Sequence, residues 1–169
     1  MGYVNITDIC QFVPPSMILK SAGTWTPTIA SNVVYDARTA ADAEFTLLAP
    51  LVLPGSEVAL QGAKIKGVDV WYRISTAAAD AFATVNVVRM NLRGFELAAQ
   101  GATIDVTLDA DHNTSDKRKI AEHHKMTVSI DDPIFVALNR PYYLVMTVDA
   151  AAATVFHLHG CQVNYTLRI

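Results

Sequence analysis

The chain has 169 residues, 51% of them hydrophobic and 17% charged, with a formal net charge of −3. That length suits a single domain with a substantial core. The mild acidity argues against a nucleic-acid binder, which would carry a basic face, and every apolar run is broken too early to cross a bilayer as a helix.

In chain order, Met1–Gly23 reads as an N-terminal arm, with Thr24–Ile169 as the domain. The arm carries Phe12, Met17, Ile18 and Leu19 without clean periodicity, and Pro14-Pro15 forbids a regular element through its middle. An apolar arm of this kind is expected to lie across its own domain or a neighbouring subunit, so these four residues are the candidate interface. The beginning of the sequence lacks a basic segment, and Asp8 interrupts its apolar stretch. The expectation is therefore no signal peptide and synthesis in a cytoplasm. With only Cys10 and Cys161 there is no disulfide framework; the pair could bridge the arm to the last strand, but the expectation is two reduced, buried thiols.

Thr24–Ala37 predicts a first strand with a bend at Ser31-Asn32. Glu44–Leu53 predicts a second, ended by the Pro54-Gly55 turn. The two strongest runs are Lys64–Ile74 and Ala81–Arg93, dense in the β-branched and aromatic residues that suit a pleated surface. In the first, Val68, Val70, Tyr72 and Ile74 share one face while Asp69, Trp71 and Arg73 share the other. The two runs are expected to form the antiparallel centre of the fold. Gly101–Leu108 alternates as one strand. Asp109–His124 is a polar loop with a helical turn around Lys119–His123. Lys125–Ile130 alternates again, Asp131-Asp132-Pro133 predicts a turn, and Ile134–Leu138 is a short strand or turn. Tyr142–Val148 and Thr154–Ile169 predict a final hairpin. Short strands, regular turns and no helical periodicity together predict an all-β, antiparallel β-sandwich. It should be jelly-roll-like, with about eight strands.

Four groups of residues bear on chemistry. His157, His159 and Cys161 recur at steps of two, which on a regular strand puts three metal-ligand types on one face. A cupin-like site would need a carboxylate and a further histidine on later strands, which this segment lacks. Trp71, Tyr142 and Tyr143 are candidate stacking platforms for a sugar ring. Glu122-His123-His124 has acid–base residue types but no accompanying nucleophile. Asp109–Ser115 resembles the opening of a calcium loop, but Thr114 and Ile120 stand where glycine and a bidentate carboxylate belong. No cofactor is expected, and no enzymatic activity.

The arm Met1–Gly23, the opening Gly23-Thr24-Trp25-Thr26-Pro27, the core strand Gly67–Ile74 and the closing Tyr142–Ile169 resemble, as a pattern, the jelly-roll structural proteins of virus and phage particles. That resemblance implies a non-enzymatic capsid, decoration or fibre-head subunit in a virion or assembled particle. Its partners would be copies of itself, as a trimer or larger, and other particle subunits. The competing expectations are a carbohydrate-binding module and a metal-binding cupin-like protein.

Overall fold

The computed structural model describes residues 6–53, 63–91, 101–136 and 140–168. In chain order the strands are β1 Ile6–Val13, β2 Leu19–Lys20, β3 Trp25–Ala30, β4 Val33–Arg38, β5 Ala43–Pro50 and β6 Ala63–Ser75. They continue with β7 Ala81–Arg89, β8 Ala102–Ile104, β9 Val106–Leu108, β10 His123–Phe135, β11 Tyr142–Ala150 and β12 Val155–Arg168. One helical turn, α1, covers Ser115–Arg118, and Pro15–Met17 form a 3₁₀ turn.

All pairings are antiparallel. The larger sheet runs β3-β4-β12-β6-β10-β9 with β1 also bonded to β12, and the smaller runs β2-β5-β11-β7-β8. Without β1, β2, β3 and β9, eight strands remain, ordered β4-β12-β6-β10 in one sheet and β5-β11-β7-β8 in the other. Counted along the chain, this is first-eighth-third-sixth facing second-seventh-fourth-fifth, the strand order of a jelly roll. The expected sandwich is therefore present, with four strands added to its eight.

The core lies between the sheets because alternation turns one face of each strand inward. Val68, Val70, Tyr72 and Ile74 of β6 face Phe45 and Leu47 of β5, Phe82 and Val87 of β7, and Leu144 and Met146 of β11, and all are buried.

Several expectations about connectivity are corrected. β6 and β7 do not pair; the link Ser75–Asp80 carries the chain from the larger sheet to the smaller. β11 and β12 likewise lie in opposite sheets rather than in a hairpin. The links 75–80 and 151–154 meet, since Thr154 Oγ1 donates to the Ala78 carbonyl at 2.9 Å. Ser31 and Asn32 have φ of 51° and 64°, the left-handed pair of a tight hairpin loop, so 24–37 is the two-strand hairpin β3–β4 and not one bent strand. The run 101–108 divides at Asp105, β8 pairing with β7 and β9 with β10. The helical turn comes earlier than expected, because Thr114 caps it by accepting from the Lys117 amide. Asp131-Asp132-Pro133 stay within β10 as an irregularity between Ser129 and Ile134. The Pro54-Gly55 turn, the end of the 81–93 run and Leu138 lie outside the described residues.

Residues 6–20 are built into this molecule's own sandwich. β1 pairs along β12 from Ile6↔Arg168 to Val13↔Cys161, and β2 joins β5. Lys20 anchors the passage between them, meeting Asp36 at 2.7 Å and donating to the Pro15 and Ile18 carbonyls. Of the four candidate interface residues, Ile18 is core at 2% exposure, whereas Phe12, Met17 and Leu19 are 55%, 49% and 65% exposed. Both cysteines are free; Cys161 is buried, but Cys10 is exposed on β1, against expectation. Burial pushes the Cys161 thiol up to about 12.

Candidate functional site

The outer face of the larger sheet carries an open cleft of about 680 Å³ where β4, β12, β6 and β10 lie side by side. Strand register builds its floor as two rows. His157 of β12, Arg73 of β6 and His123 of β10 are direct cross-strand partners. One step along, Gly160, Trp71 and Lys125 form the second row.

His159 enters the cleft because the ladder slips between Leu158 and Gly160. Gly160 has φ of +119°, and a Cβ there would come within 2.7 Å of the Val13 carbonyl oxygen, so the slip needs glycine. This β-bulge inverts the alternation of β12. Phe156 and Leu158 point inward before it; Cys161 and Val163 point inward after it. His157 and His159 therefore line the cleft while Cys161 lies in the core, and the three candidate metal ligands do not share a face. Among the described residues, no group of three or more His, Cys, Asp or Glu side chains is placed to hold a metal ion.

The aromatic candidates also separate. Trp71 is in the cleft floor with the Lys125 ammonium 5.7 Å from its ring centre. Tyr142 is buried in the core, and Tyr143 alternates to the outer side of the smaller sheet. A residue not singled out from sequence, Tyr35 of β4, takes their place: its ring stacks on His157 at 4.7 Å and lies 5.3 Å from His159. Its position on β4 becomes readable only once the Ser31-Asn32 hairpin is recognised.

The cleft is cationic. Arg73, Lys125, His123, His157 and His159 line it, and among the described residues no carboxylate does. Burial, then Arg73 and His123, hold the His157 imidazole below its ordinary value. Burial, then His157, His123 and Arg73, do the same for His159. The His159 Nε2 is buried and has no hydrogen-bond partner among the described residues.

On the inward side of β10 is a second cluster, so Glu122-His123-His124 is not one site. His124 packs flat on Tyr72 at 4.5 Å, and Tyr72 in turn stacks on Phe156. Asp109 Oδ1 and His112 Nδ1 are 2.7 Å apart, His112 Nε2 and His124 Nδ1 3.1 Å, and His124 Nε2 and the Ile120 carbonyl 2.9 Å. These contacts tie the 109–112 loop and residue 120 to the start of β10. Asp109 also accepts from the Thr127 and Asp111 amides. What began as a calcium-loop resemblance is a hydrogen-bonded brace.

These environments set an acid response. His157, His159 and His124 are all depressed in the fold, so above the ordinary histidine value of about 6.5 they cost nothing. Below it the unfolded chain takes up protons that the fold resists, and stability falls. At Asp109, burial pushes the carboxyl up, but hydrogen bonds from Thr127 and His112 outweigh it and hold it below the ordinary carboxylate value. Its contribution is present above the unfolded carboxylate value and is lost as pH falls through the lower folded one. Thermal unfolding followed by circular dichroism should show a decline beginning below about pH 6.5 and a second in strong acid. Replacing His157 and His159 together by asparagine should make the first decline shallower, leaving the His124 share, and should not alter the second; an unchanged slope would contradict this assignment.

No protein-family model matches the chain, and no curated protein matches it in sequence.

Proposed function

We propose that this protein is a non-enzymatic, self-associating structural subunit of a virion or similar assembled particle, as a capsid, decoration or fibre-head component. The observation that carries the reading is the apolar surface left uncovered on a jelly roll whose core is already complete. Large hydrophobic residues stand exposed on the N-terminal segment (Ile6, Phe12, Met17, Leu19) and on the β3–β4 hairpin (Ile29, Val33, Val34). Ile29 is 78% exposed on β3, the edge strand of the larger sheet. Burying such residues against another copy would stabilise association by roughly 1.5–3 kcal/mol each.

The test is mass in solution by light scattering on a size-exclusion column, with negative-stain imaging of the peak. A defined trimer, ring or particle is expected. Phe12→Asp with Leu19→Asp should weaken association by roughly two to four orders of magnitude and yield the 18.3 kDa monomer at micromolar concentration. A parent protein already monomeric at high concentration would refute the proposal.

A further inference from the structure

We propose that the outer-face cleft of the larger sheet is a binding site for a carboxylate-bearing sugar, with the Arg73 guanidinium taking the carboxylate and Trp71 the face of the ring. The proposal is separate from self-association and does not depend on it.

Charge is the first argument. Arg73 has no hydrogen-bond or ion-pair partner among the described residues, although ion pairs are made elsewhere by Lys20, Lys66 and Lys119. It is flanked across both neighbouring strands by histidines rather than acids. The nearest carboxylate on the same face of β6, Asp69, is occupied: it accepts from Thr127 Oγ1 at 2.6 Å and Asn164 Nδ2 at 2.9 Å. The guanidinium fork is thus open, and its geometry suits a carboxylate held by two parallel bonds.

Shape and surface chemistry narrow the anion. Trp71 and Tyr35 supply aromatic surface on either side of the histidines, as a pyranose ring needs for its C–H face, while a bare inorganic ion needs none. At about 680 Å³ the cleft is in the range of small-ligand sites and holds one or two sugar rings. An extended polyanion such as nucleic acid is disfavoured because the chain is net negative.

The experiment titrates the whole protein with sodium glucuronate, glucose and sodium acetate, following tryptophan fluorescence. The only other tryptophan, Trp25, packs against Phe45 and Phe156, away from the cleft. Glucuronate should saturate in the millimolar range and bind about tenfold or more tightly than glucose or acetate. Arg73→Ala should weaken glucuronate about tenfold, and Trp71→Phe should abolish the fluorescence response. Should the alanine variant misfold, Arg73→Lys keeps the stem and charge but loses the fork, and should still weaken binding severalfold. Equal affinity for glucose, no saturation with glucuronate, or unchanged affinity in the Arg73 variants would overturn the proposal. A change in solution mass on Arg73→Ala would overturn it too, by reassigning the cleft to a subunit contact.

Discussion

Replacing Arg118 by alanine is expected to destabilise the protein more than any other single truncation outside the hydrophobic core. The residue is 6% exposed and lies in a four-residue helical turn that has little stability of its own. Its guanidinium donates to the Phe82 carbonyl through Nη2 at 2.8 Å and Nε at 3.3 Å, and to the His112 carbonyl through Nη1 at 2.7 Å. Its own carbonyl accepts from the Tyr72 hydroxyl at 2.9 Å. One side chain thus joins the β7 strand, the His112 loop and, through the backbone, the aromatic stack under His124. Alanine would strand two buried carbonyls and open a void, for a loss of roughly 2–5 kcal/mol. Urea unfolding should show the drop in midpoint with an unchanged slope. A loss under half a kcal/mol would mean that water replaces the guanidinium freely and the brace is not structural.

Gly160→Ala should be nearly as damaging, for a different reason. A φ of +119° is essentially closed to a residue with a side chain, and strain of that kind costs on the order of 1–3 kcal/mol. The added methyl would also meet the Val13 carbonyl oxygen at 2.7 Å and Phe12 Cζ at 2.8 Å. Phe12 can swing aside, but the Val13 oxygen is backbone, so β1 must move. The expected result is a loss of roughly 2–4 kcal/mol with faster amide exchange in β1 than in β6 or β11. Parent-like exchange in β1 would show that the bulge relaxes in place and that β1 is not held by it.

These two positions also mark where the sequence stopped being readable. β6 was legible because its inward and outward faces differ strongly in polarity over a whole strand, and that contrast is what alternation reports. Sheet membership was not legible. Alternation carries no record of which sheet a strand joins, so β6 with β7, and β11 with β12, looked like neighbours. Asp105 hides a change of sheet for the same reason: the residues on either side keep the same polarity pattern while their partners change. At the candidate site, the His157-His159-Cys161 spacing assumed an unbroken strand. One local signal disagreed, since glycine inside a strand often marks a bulge. Gly160 was that signal, and it moves Cys161 to the opposite face. Trp71, Arg73 and the two histidines were each visible in sequence, but their convergence depends on the register of β6 against β12, two strands from distant parts of the chain.

The central place of β12 bears on the order of events during synthesis. Residues 155–168 bond to β4, β6 and β1, so these strands lack a shared partner until the last of the fold is made. Ile6 waits for Arg168. At ribosomal speeds that interval is roughly 8–30 s, during which the β1 and β4 edges stand open to other nascent chains. The larger sheet therefore closes late, and a chaperone that shields strand edges would do most for this protein before β12 emerges.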